Sequence, residues 1–370
     1  MSIKKIAKEA GVSTATVSRV LNNPGYKCSS EELRERIWKI ARELNYMPNE
    51  AARNLKKGIT DTSQKVWYLD VLMTRMGNLE TDPFFSELLR VIESEIHRQG
   101  CILMHIFHQP LFSNDRKCRT ENIDKVIAQM EPDGDIRSDG LIIIGKCNDN
   151  VLKKLSAKYK SIVSVNRNST NYLVDEVICD GKRIAAMAVE YLIGLGHRKI
   201  GYVGDCHNES RYKGYQDTLF QYGIDIDISF VIEAEHTEAE GYAVMERLIQ
   251  RGDAPTAIYC ANDMIAIGML KCLNKYKNRY YVPSIISSDD IEEAQYTRPM
   301  LTTVRLPKEE MGKFALYLLI DRLGGGHKGI VRTELEGKLM IRESCTLVEN
   351  ANRMEQCAGY DFKHFIWKEW

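Results

Sequence analysis

The amino-acid sequence predicts two architectures in one chain: a small all-α head at the N-terminus, followed by an α/β core of parallel sheets in two lobes. Up to about residue 46, apolar residues recur at helical spacing around a central Gly-Val-Ser. From Lys65 onward, short apolar runs such as "GLIIIG" and "AIYCA" alternate with amphipathic helices, a pattern typical of crossovers between parallel strands. This second part is too long for one compact sheet and suits two lobes.

Two short helices and a tight turn are predicted at the N-terminus. Ile6, Ala7 and Ala10 recur at three- and four-residue steps and share one face of the first helix. Gly11 ends that helix because glycine tolerates a left-handed backbone, and the hydroxyl of Ser13 caps the second helix. A third helix is predicted in "SSEELRERIWKIARELNY". The pattern favours a helix-turn-helix, whose second helix enters the DNA major groove; a small helical bundle with a solvated polar face is the alternative.

The charge of the chain is divided unevenly. Through Gly58 there are 12 Lys and Arg residues against 6 Asp and Glu residues, a net charge of +6. The whole chain carries 51 of each kind, so the remainder carries 39 against 45, a net charge of −6. A basic head on an acidic body is expected where the head meets DNA phosphates and the body does not.

Two stretches, "IAKEAGVSTATVSRVLNN" and "ELNYMPNEAARNLKKG", resemble the DNA-binding head and hinge of the lactose/galactose repressor (LacI/GalR) family. The resemblance implies a helix-turn-helix head over residues 1–46, followed by a hinge. Because the implied base-reading side chains are short, methyl contacts and DNA shape carry much of the sequence preference. The implied contacts to bases come from Thr14, Ala15 and Arg19, and those to the DNA backbone from Thr16 and Ser18.

Residues 47–64 are predicted to form a hinge helix and a linker. Pro48 suits the first turn of a helix, but a helix of about ten residues is too short to be stable alone in water. The resemblance implies that the hinge folds in the minor groove, where Leu55 wedges between base steps; a linker helix with one buried leucine is the alternative. The other hinge residues assigned to DNA binding are Asn49, Ala52 and Arg53.

Residues 65–345 are predicted to form the effector-binding and dimerisation domain. Here the resemblance implies a periplasmic-binding-protein-like core, in which the chain crosses between two lobes near residues 163, 292 and 323. The implied N-lobe comprises residues 65–162 and 293–322, and the implied C-lobe comprises residues 163–292 and 323–345.

A C-terminal extension over residues 346–370 lies beyond the resemblance. It lacks the leucine heptads of a tetramerising coiled coil, so a dimer is predicted. Its aromatic residues favour packing back onto the body, with docking of a partner as the alternative.

Polar residues follow several predicted strands, at the carboxyl ends where ligands bind in open parallel sheets. Carboxylate, amide and guanidinium groups engage adjacent hydroxyls, and an aromatic face covers C–H surface, so the residues implied by the resemblance favour a sugar. Asp263, by contrast, is predicted to cap its helix. The implied effector-binding residues are Phe84, Phe85, Asn166, Arg211, His236, Asn262 and Asp289.

Three stretches depart from the family pattern. His236 stands where many relatives have Phe or Trp, "SSDDI" replaces Gly-aromatic-Asp around Asp289, and "NRNSTNY" is atypical after the fourth strand. A sugar, a nucleobase and a phosphorylated metabolite therefore stay open as ligands, although the cleft is expected to lack a basic cluster, which disfavours phosphate.

Patterns of other protein classes are absent from the sequence. There is no phosphate-binding glycine loop with Lys-Ser/Thr, no G-x-S-x-G and no H-E-x-x-H, so no enzyme, cofactor or metal site is predicted. The ten cysteines never form C-x-x-C and favour buried thiols in a reducing cytosol. A Lys-rich helix stands where a secreted solute-binding protein needs an apolar signal, and no run approaches a membrane span, so a cytoplasmic protein is predicted.

These features predict a DNA-binding transcriptional regulator, namely a repressor of a carbohydrate-utilisation operon. It is expected to act as a homodimer on a pseudo-palindromic operator, under allosteric control by a small ligand in the cleft. The alternative is a regulator controlled mainly by a protein co-regulator that docks on the core.

Overall fold

The computed structural model describes residues 3–22, 30–43, 66–74, 82–113, 115–130, 137–207, 209–276 and 281–348 of the 370-residue chain. The chain divides into two compact units, the head up to residue 66 and the core from residue 67. The predicted hinge and linker, residues 47–64, and residues 349–370 of the predicted C-terminal extension lie outside the described residues.

The head contains the predicted helices α1 (Ile3–Ala10), α2 (Thr14–Asn22) and α3 (Glu31–Glu43). The turn between the first two helices has the expected chemistry. Gly11 adopts a left-handed backbone with φ 66°, and Ser13 Oγ accepts a hydrogen bond from Thr16 N at 3.0 Å. The glycine stop and the serine cap are therefore confirmed.

Apolar side chains from all three helices form the core of the head. Arg36 of α3 also donates from Nη2 to the carbonyl of Ala10 at 2.8 Å, which satisfies a backbone acceptor at the end of α1. These contacts hold α2 on the other two helices and leave its opposite face free of the core. The buried apolar residues are Ile6, Ala7, Ala10, Val17, Val20, Ile37 and Ile40.

The core contains two six-stranded sheets, with strand orders β11-β5-β4-β3-β1-β2 and β12-β10-β9-β8-β6-β7. Their bounds are β1 (Tyr68–Met73), β2 (Ile102–His108), β3 (Gly140–Ile144), β4 (Ser161–Asn166), β5 (Asp175–Ile178), β6 (Ile200–Gly204), β7 (Val231–Glu233), β8 (Ala257–Cys260), β9 (Ser284–Asp289), β10 (Thr302–Arg305), β11 (Arg332–Glu334) and β12 (Lys338–Met340). Neighbouring strands are parallel throughout, except that β12 runs antiparallel to β10.

Helices connect the strands and cover the sheets. The described helices of the core are α4 (Pro83–Arg98), α5 (Asp115–Thr120), α6 (Ile123–Ala128), α7 (Asp149–Lys158), α8 (Gly181–Gly194), α9 (Ser210–Gln221), α10 (Glu238–Ile249), α11 (Asp263–Tyr276) and α12 (Lys308–Leu323). Short 3-10 turns occur at Pro110–Ser113, Ile228–Phe230 and Glu292–Gln295.

Central strands of the first sheet are buried on both faces. In β3, Leu141 and Ile143 belong to one apolar cluster, whereas Ile142 and Ile144 belong to the other. This alternation explains why the sequence reads as a continuous apolar run: each side chain of a parallel strand covered by helices on both faces is buried. The predicted α/β class is confirmed.

The chain crosses between the two lobes at points that differ from the prediction. β5 still belongs to the first sheet and α8 packs on the second, so the first crossing lies near Cys179 and not near residue 163. β10 belongs to the second sheet and α12 packs on the first, so the next crossing lies near Leu306 and not near residue 292. The last crossing lies between β11 and β12 and not near residue 323. Apolar patterning shows where a strand lies but not which sheet it joins.

Residues 346–348, where the predicted extension begins, lie on the second lobe. Thr346 N donates to Ser284 Oγ at 2.9 Å, and Val348 N donates to the carbonyl of Leu195 at 3.1 Å. These bonds attach the described start of the extension to β9 and to the end of α8.

Candidate DNA-binding helix and ligand cleft

Helix α2 carries all the predicted DNA contacts of the head. Thr14 and Arg19 are exposed, whereas Thr16 is half-buried with its Oγ1 2.9 Å from the capping hydroxyl of Ser13. Exposed threonine and arginine on a helix held by its opposite face suit contacts to base edges and phosphates. The other predicted contacts are Ala15 and Ser18, in the same helix, and Asn49, Ala52, Arg53 and Leu55, which lie outside the described residues.

A buried ion pair joins the two lobes at the carboxyl ends of β4 and β9. Arg167, directly after β4, donates from Nη2 to Oδ1 of Asp289 at 2.6 Å. The two side chains are only 7% and 2% exposed. Since a buried charge without a partner is strongly destabilising, each of these side chains depends on the other.

The guanidinium of Arg167 also covers the predicted aromatic wall. Its Cζ atom lies 4.2 Å from the ring centroid of Phe84 and 5.6 Å from that of Phe85. The two rings meet edge to face, with centroids 5.2 Å apart. A cation over an aromatic face is attracted to it, so this stacking adds to the ion pair. In this structure a side chain of the protein occupies the aromatic face assigned to a ligand.

The backbone after β9 adopts a conformation that is uncommon outside glycine. Asp289 has φ 124° and Asp290 has φ 50°. The Asp290 carboxylate accepts from Nε of Arg305 and from Nη2 of Arg342, both at 2.5 Å. Burial raises the pKa of Asp289 to about 6, against the opposing charge of Arg167. Charged contacts therefore hold a strained turn at the cleft, as is common at functional sites.

Arg211 of α9 is engaged within the second lobe. It is 1% exposed, donates from Nε to Glu209 Oε1 at 3.0 Å, and donates from Nη1 to the carbonyl of Ala261. Burial alone disfavours the charged form, but the carboxylate of Glu209 more than compensates, so the pKa of Arg211 is raised. Arg211 is a predicted effector contact, but two of its N–H donors bind groups within the second lobe and so stabilise that lobe.

Asn262, and not Asp263, caps the helix that begins here. Oδ1 of Asn262 accepts from Ile265 N at 3.1 Å and caps α11. The Asp263 carboxylate instead accepts from Ser287 Oγ at 2.5 Å and from Thr303 Oγ1 at 2.6 Å. The prediction that Asp263 caps its helix is wrong, because β9 and β10 bring hydroxyl donors to a fully buried carboxylate. Burial, with the nearby charge of Asp289, raises the pKa of Asp263 to about 7.

Asn166 and His236 occupy more open positions than the rest of the predicted set. Asn166 is half-buried, and its Oδ1 accepts from Arg167 N at 2.7 Å. His236 is half-buried, and its carbonyl accepts from Asn262 Nδ2 at 3.4 Å. The structure therefore gathers Phe84, Phe85 and Asp289 around Arg167, whereas Arg211 and Asn262 lie in the second lobe with hydrogen bonds of their own.

A cavity of about 810 Å³ lies beside Arg167 and is lined by residues of both lobes. Lys146 and Lys153 line it from the first lobe, and Lys182 and Lys213 line it from the second. The expectation that the cleft lacks a basic cluster is wrong, because these lysines are separated in the sequence and converge only in the fold.

Two searches of the described ranges gave negative results. No helix in them is long and apolar enough to cross a membrane. No group of three or more His, Cys, Asp or Glu side chains in them is arranged to hold a metal ion.

Comparisons with known proteins decide the family. The model of bacterial regulatory proteins of the lacI family matches residues 2–49, and a periplasmic binding protein-like domain matches residues 189–345. The transcriptional repressor MelR of Bacillus subtilis (strain 168) is 31% identical over 357 residues, which cover 93% of this chain and 97% of MelR. The chain belongs to the LacI family.

A second repressor and two solved structures are also similar to this chain over most of its length. The repressor PurR of Haemophilus influenzae (strain PittEE) is 29% identical over 360 residues, covering 93% of this chain and 98% of PurR. A solved complex of the regulator CelR with cellobiose has a TM-score of 0.62 at 24% identity, covering 93% of this chain and 100% of that chain. A lac repressor dimer bound to operator and the anti-inducer ONPF has a TM-score of 0.62 at 23% identity, covering 94% and 99%.

The family assignment confirms the coarse functional prediction. The protein is a DNA-binding transcriptional repressor of the LacI family, with a helix-turn-helix head and a periplasmic-binding-protein-like core. Its curated relatives MelR and PurR are repressors and not enzymes.

Two residues at the centre of this LacI-family cleft are absent from the predicted set. Arg167 lies in "NRNSTNY" and Asp290 lies in "SSDDI", the stretches that depart from the family pattern. An arginine directly after a strand-end asparagine, and a second carboxylate directly after Asp289, were the available signals. Their partners could not be identified, because the arginines that bind Asp290 come from the end of β10 and from the segment after β12.

Proposed function

We propose that this repressor acts as a homodimer on a pseudo-palindromic operator and is controlled by a small ligand in the cleft between its lobes. The ion pair between Arg167 and Asp289 is the observation that most strongly supports control through the cleft, since it joins the lobes where the resemblance implies effector contacts. A ligand that competes with this ion pair shifts the equilibrium between the arrangements of the two lobes.

Binding to a palindrome is supported by the geometry of the head. One recognition helix covers one half-site, so specific binding requires two heads related by the symmetry of the operator. A solved lac repressor dimer holds operator DNA, and its fold is that of this chain. The exposed side chains of Thr14 and Arg19 supply the base contacts in this proposal.

A sugar is the proposed effector, and a carbohydrate-utilisation operon the proposed target. The structure of CelR contains cellobiose, and its fold covers most of this chain. A sugar ring that replaced the Arg167 guanidinium on Phe84 would have an aromatic face beneath it and the Asp289 carboxylate beside it. These are the two contacts a polyhydroxylated ring needs: apolar cover for its C–H surface and an acceptor for its hydroxyls.

Selection of binding sites from random double-stranded DNA by the full-length protein tests this function. The proposal predicts enrichment of inverted repeats, because two symmetry-related heads must engage the DNA together. Recovery of single half-sites without symmetry, or of no preferred sequence, would overturn it.

The base contacts can be tested on the selected operator with Arg19→Ala and Thr14→Ala. We expect Arg19→Ala to weaken specific binding by roughly 5- to 150-fold, the range for losing one good base contact, and Thr14→Ala to weaken it less. Lys39→Ala is the matched control, since it removes one exposed positive charge from α3 without removing a predicted base contact. Fluorescence anisotropy measures all three affinities. Equal losses in Arg19→Ala and Lys39→Ala would show that Arg19 acts only through its charge.

A further inference from the structure

Exposed apolar side chains gather at one edge of the second lobe. Phe220 and Ile228 are 84% and 82% exposed, the highest values for large apolar side chains among the described residues. Val282 and Leu347 are 69% and 67% exposed. We define these four residues as the apolar patch. Large apolar side chains exposed together on a protein mark a surface that binds something.

The topology of the second sheet places the patch at the amino ends of its parallel strands. Val282 lies two residues before β9, and Ile228 lies in the 3-10 turn that leads into β7. Phe220 lies at the end of α9, which returns the chain to the same turn. The strand order is β9-β8-β6-β7, so β9 and β7 are about 14 Å apart at a strand spacing of about 4.8 Å. The ligand cleft lies at the opposite, carboxyl ends.

A buried histidine fixes the start of the C-terminal extension at this edge. His197 is 3% exposed, and its Nε2 atom lies 3.0 Å from both the carbonyl oxygen of Thr346 and Oγ of Ser284. Its Nδ1 atom lies 3.0 Å from Oγ1 of Thr256. The chain therefore reaches the end of the described ranges beside the amino ends of β8 and β9.

Hydrogen bonds connect the extension to the elements that carry the patch. Val348 N donates to the carbonyl of Leu195, directly after α8. The side chain of Glu190, in the last turn of α8, is hydrogen-bonded to Tyr222, two residues after Phe220. Since α8 and α9 pack together, Leu347 and Phe220 lie on neighbouring parts of one surface.

The residues that follow Val348 in the sequence supply an apolar segment of matching chemistry. The 11 residues 360–370 contain six large apolar side chains, and their two acidic residues balance their two lysines. The 11 residues 349–359 span up to about 36 Å when extended, more than twice the distance across the patch. The apolar residues of the segment are Tyr360, Phe362, Phe365, Ile366, Trp367 and Trp370.

We propose that residues 360–370 dock on the apolar patch of their own chain. Each aromatic side chain that docks removes roughly 150–250 Å² of surface from water, and covers part of the patch as well. The connection through residues 349–359 keeps the segment at a high effective concentration near the patch, which favours docking within the chain over docking on a second copy. The patch lies away from the cleft, so this inference does not depend on the proposed function.

Tryptophan fluorescence tests the docking, because two of the four tryptophans of the chain are Trp367 and Trp370. The full-length reporter protein carries Trp38→Phe/Trp67→Phe, so that the emission comes from the segment alone. Quenching by acrylamide measures how accessible its indole rings are to solvent.

A patch variant and a matched control are made in the reporter protein. Phe220→Ser/Ile228→Ser removes the two most exposed side chains of the patch. Phe314→Ser/Ile330→Ser makes the same two replacements at exposed residues of the first lobe, on α12 and before β11. Circular dichroism verifies that all three proteins are folded.

We expect the acrylamide quenching constant to be at least about threefold higher in the patch variant than in the reporter protein, with emission at longer wavelength, because the rings lose their apolar cover. The control should quench like the reporter protein. Equal quenching in the patch and control variants would overturn the proposal.

Hydroxyl-radical footprinting provides a second test on chains with natural tryptophans. The full-length protein is compared with a chain ended after Val348, which keeps the hydrogen bonds of Thr346 and Val348. We expect Phe220 to be oxidised several-fold faster in the shorter chain, and equal rates would overturn the docking.

Dilution separates docking within the chain from docking on a second copy. We expect the low quenching of the reporter protein to persist on dilution. If it is lost as assemblies dissociate in sedimentation velocity, the segment covers a second copy and docking within the chain is overturned. None of these outcomes depends on operator binding.

Discussion

Replacement of Arg211 by alanine is expected to lower the free energy of unfolding of the core by about 3–5 kcal/mol, the usual cost of breaking a buried pair from one side. Arg211 and Glu209 are each 1% exposed, and their side chains lie 3.0 Å apart. Without the guanidinium, the Glu209 carboxylate and the Ala261 carbonyl lose their charged donor inside the second lobe. Urea unfolding, followed by tryptophan fluorescence, measures the loss.

The double variant Glu209→Gln/Arg211→Met separates lost charge compensation from lost packing. It removes both charges and preserves most of the volume, so it should cost less than Arg211→Ala. If the single replacement costs less than about 1 kcal/mol, the guanidinium is not a structural element of the lobe. Arg211 would then be free to act as the predicted effector contact alone.

Asp289→Ala and Arg167→Met are expected to have unequal effects, although each breaks the same ion pair. Asp289→Ala leaves an arginine that cannot lose its charge, and we expect a loss of about 3–5 kcal/mol with separation of the lobes. Arg167→Met leaves a carboxyl whose pKa is already raised to about 6 by burial, and which can take up a proton. Arg167→Met should therefore cost less.

The difference between the two variants depends on pH in a defined direction. In Arg167→Met, the folded-state pKa of Asp289 rises further above its unfolded value, so the folded state binds the extra proton. The variant therefore loses stability, relative to the unmodified protein, as pH rises above the Asp289 pKa of about 6. The difference in the free energy of unfolding between the two proteins should be smaller at about pH 5.5 than at about pH 8. Asp289→Ala should lack this dependence, since it lacks the titrating group.

Urea titrations of both variants at the two pH values measure these losses, and small-angle X-ray scattering reports whether the lobes separate. Equal losses at both pH values in Arg167→Met would contradict the role assigned to the buried carboxyl. A core that keeps its stability and dimensions in Asp289→Ala would contradict a structural role for the ion pair.

The local elements could be predicted from the sequence, because they depend on neighbouring residues. The apolar spacing from Ile6 to Ala10, the conformation of Gly11 and the hydroxyl of Ser13 define the turn of the head without any distant contact. The apolar run around Ile142 likewise indicates a strand covered on both faces.

The lobe boundaries could not be predicted in the same way. β10 looks like any other buried strand, and only its pairing with β9 and β12 assigns it to the second sheet. The same limit applies to α12, which returns the chain to the first lobe by packing on β3, β4 and β5. Such partnerships join residues far apart in the chain.

The site was predicted in part for a related reason. Phe84, Phe85 and Asp289 all lie against Arg167, whereas their contact with an effector stays a prediction. Arg167 was not predicted as their partner because its role depends on the distance between two lobes. The lysines that converge on the cavity beside Arg167 come from separate segments, none of which is basic enough alone to indicate a basic cluster.

The measurement that tests the central claim most directly is the operator affinity of full-length Arg167→Met/Asp289→Asn, which removes the inter-lobe charges without leaving one of them unpaired. Coupling between cleft and head predicts that affinity for the selected operator changes at least fivefold, while affinity for random DNA stays the same. Circular dichroism verifies that the variant is folded. An unchanged operator affinity in the folded variant would contradict control through the cleft, and would favour a protein co-regulator that docks elsewhere on the core.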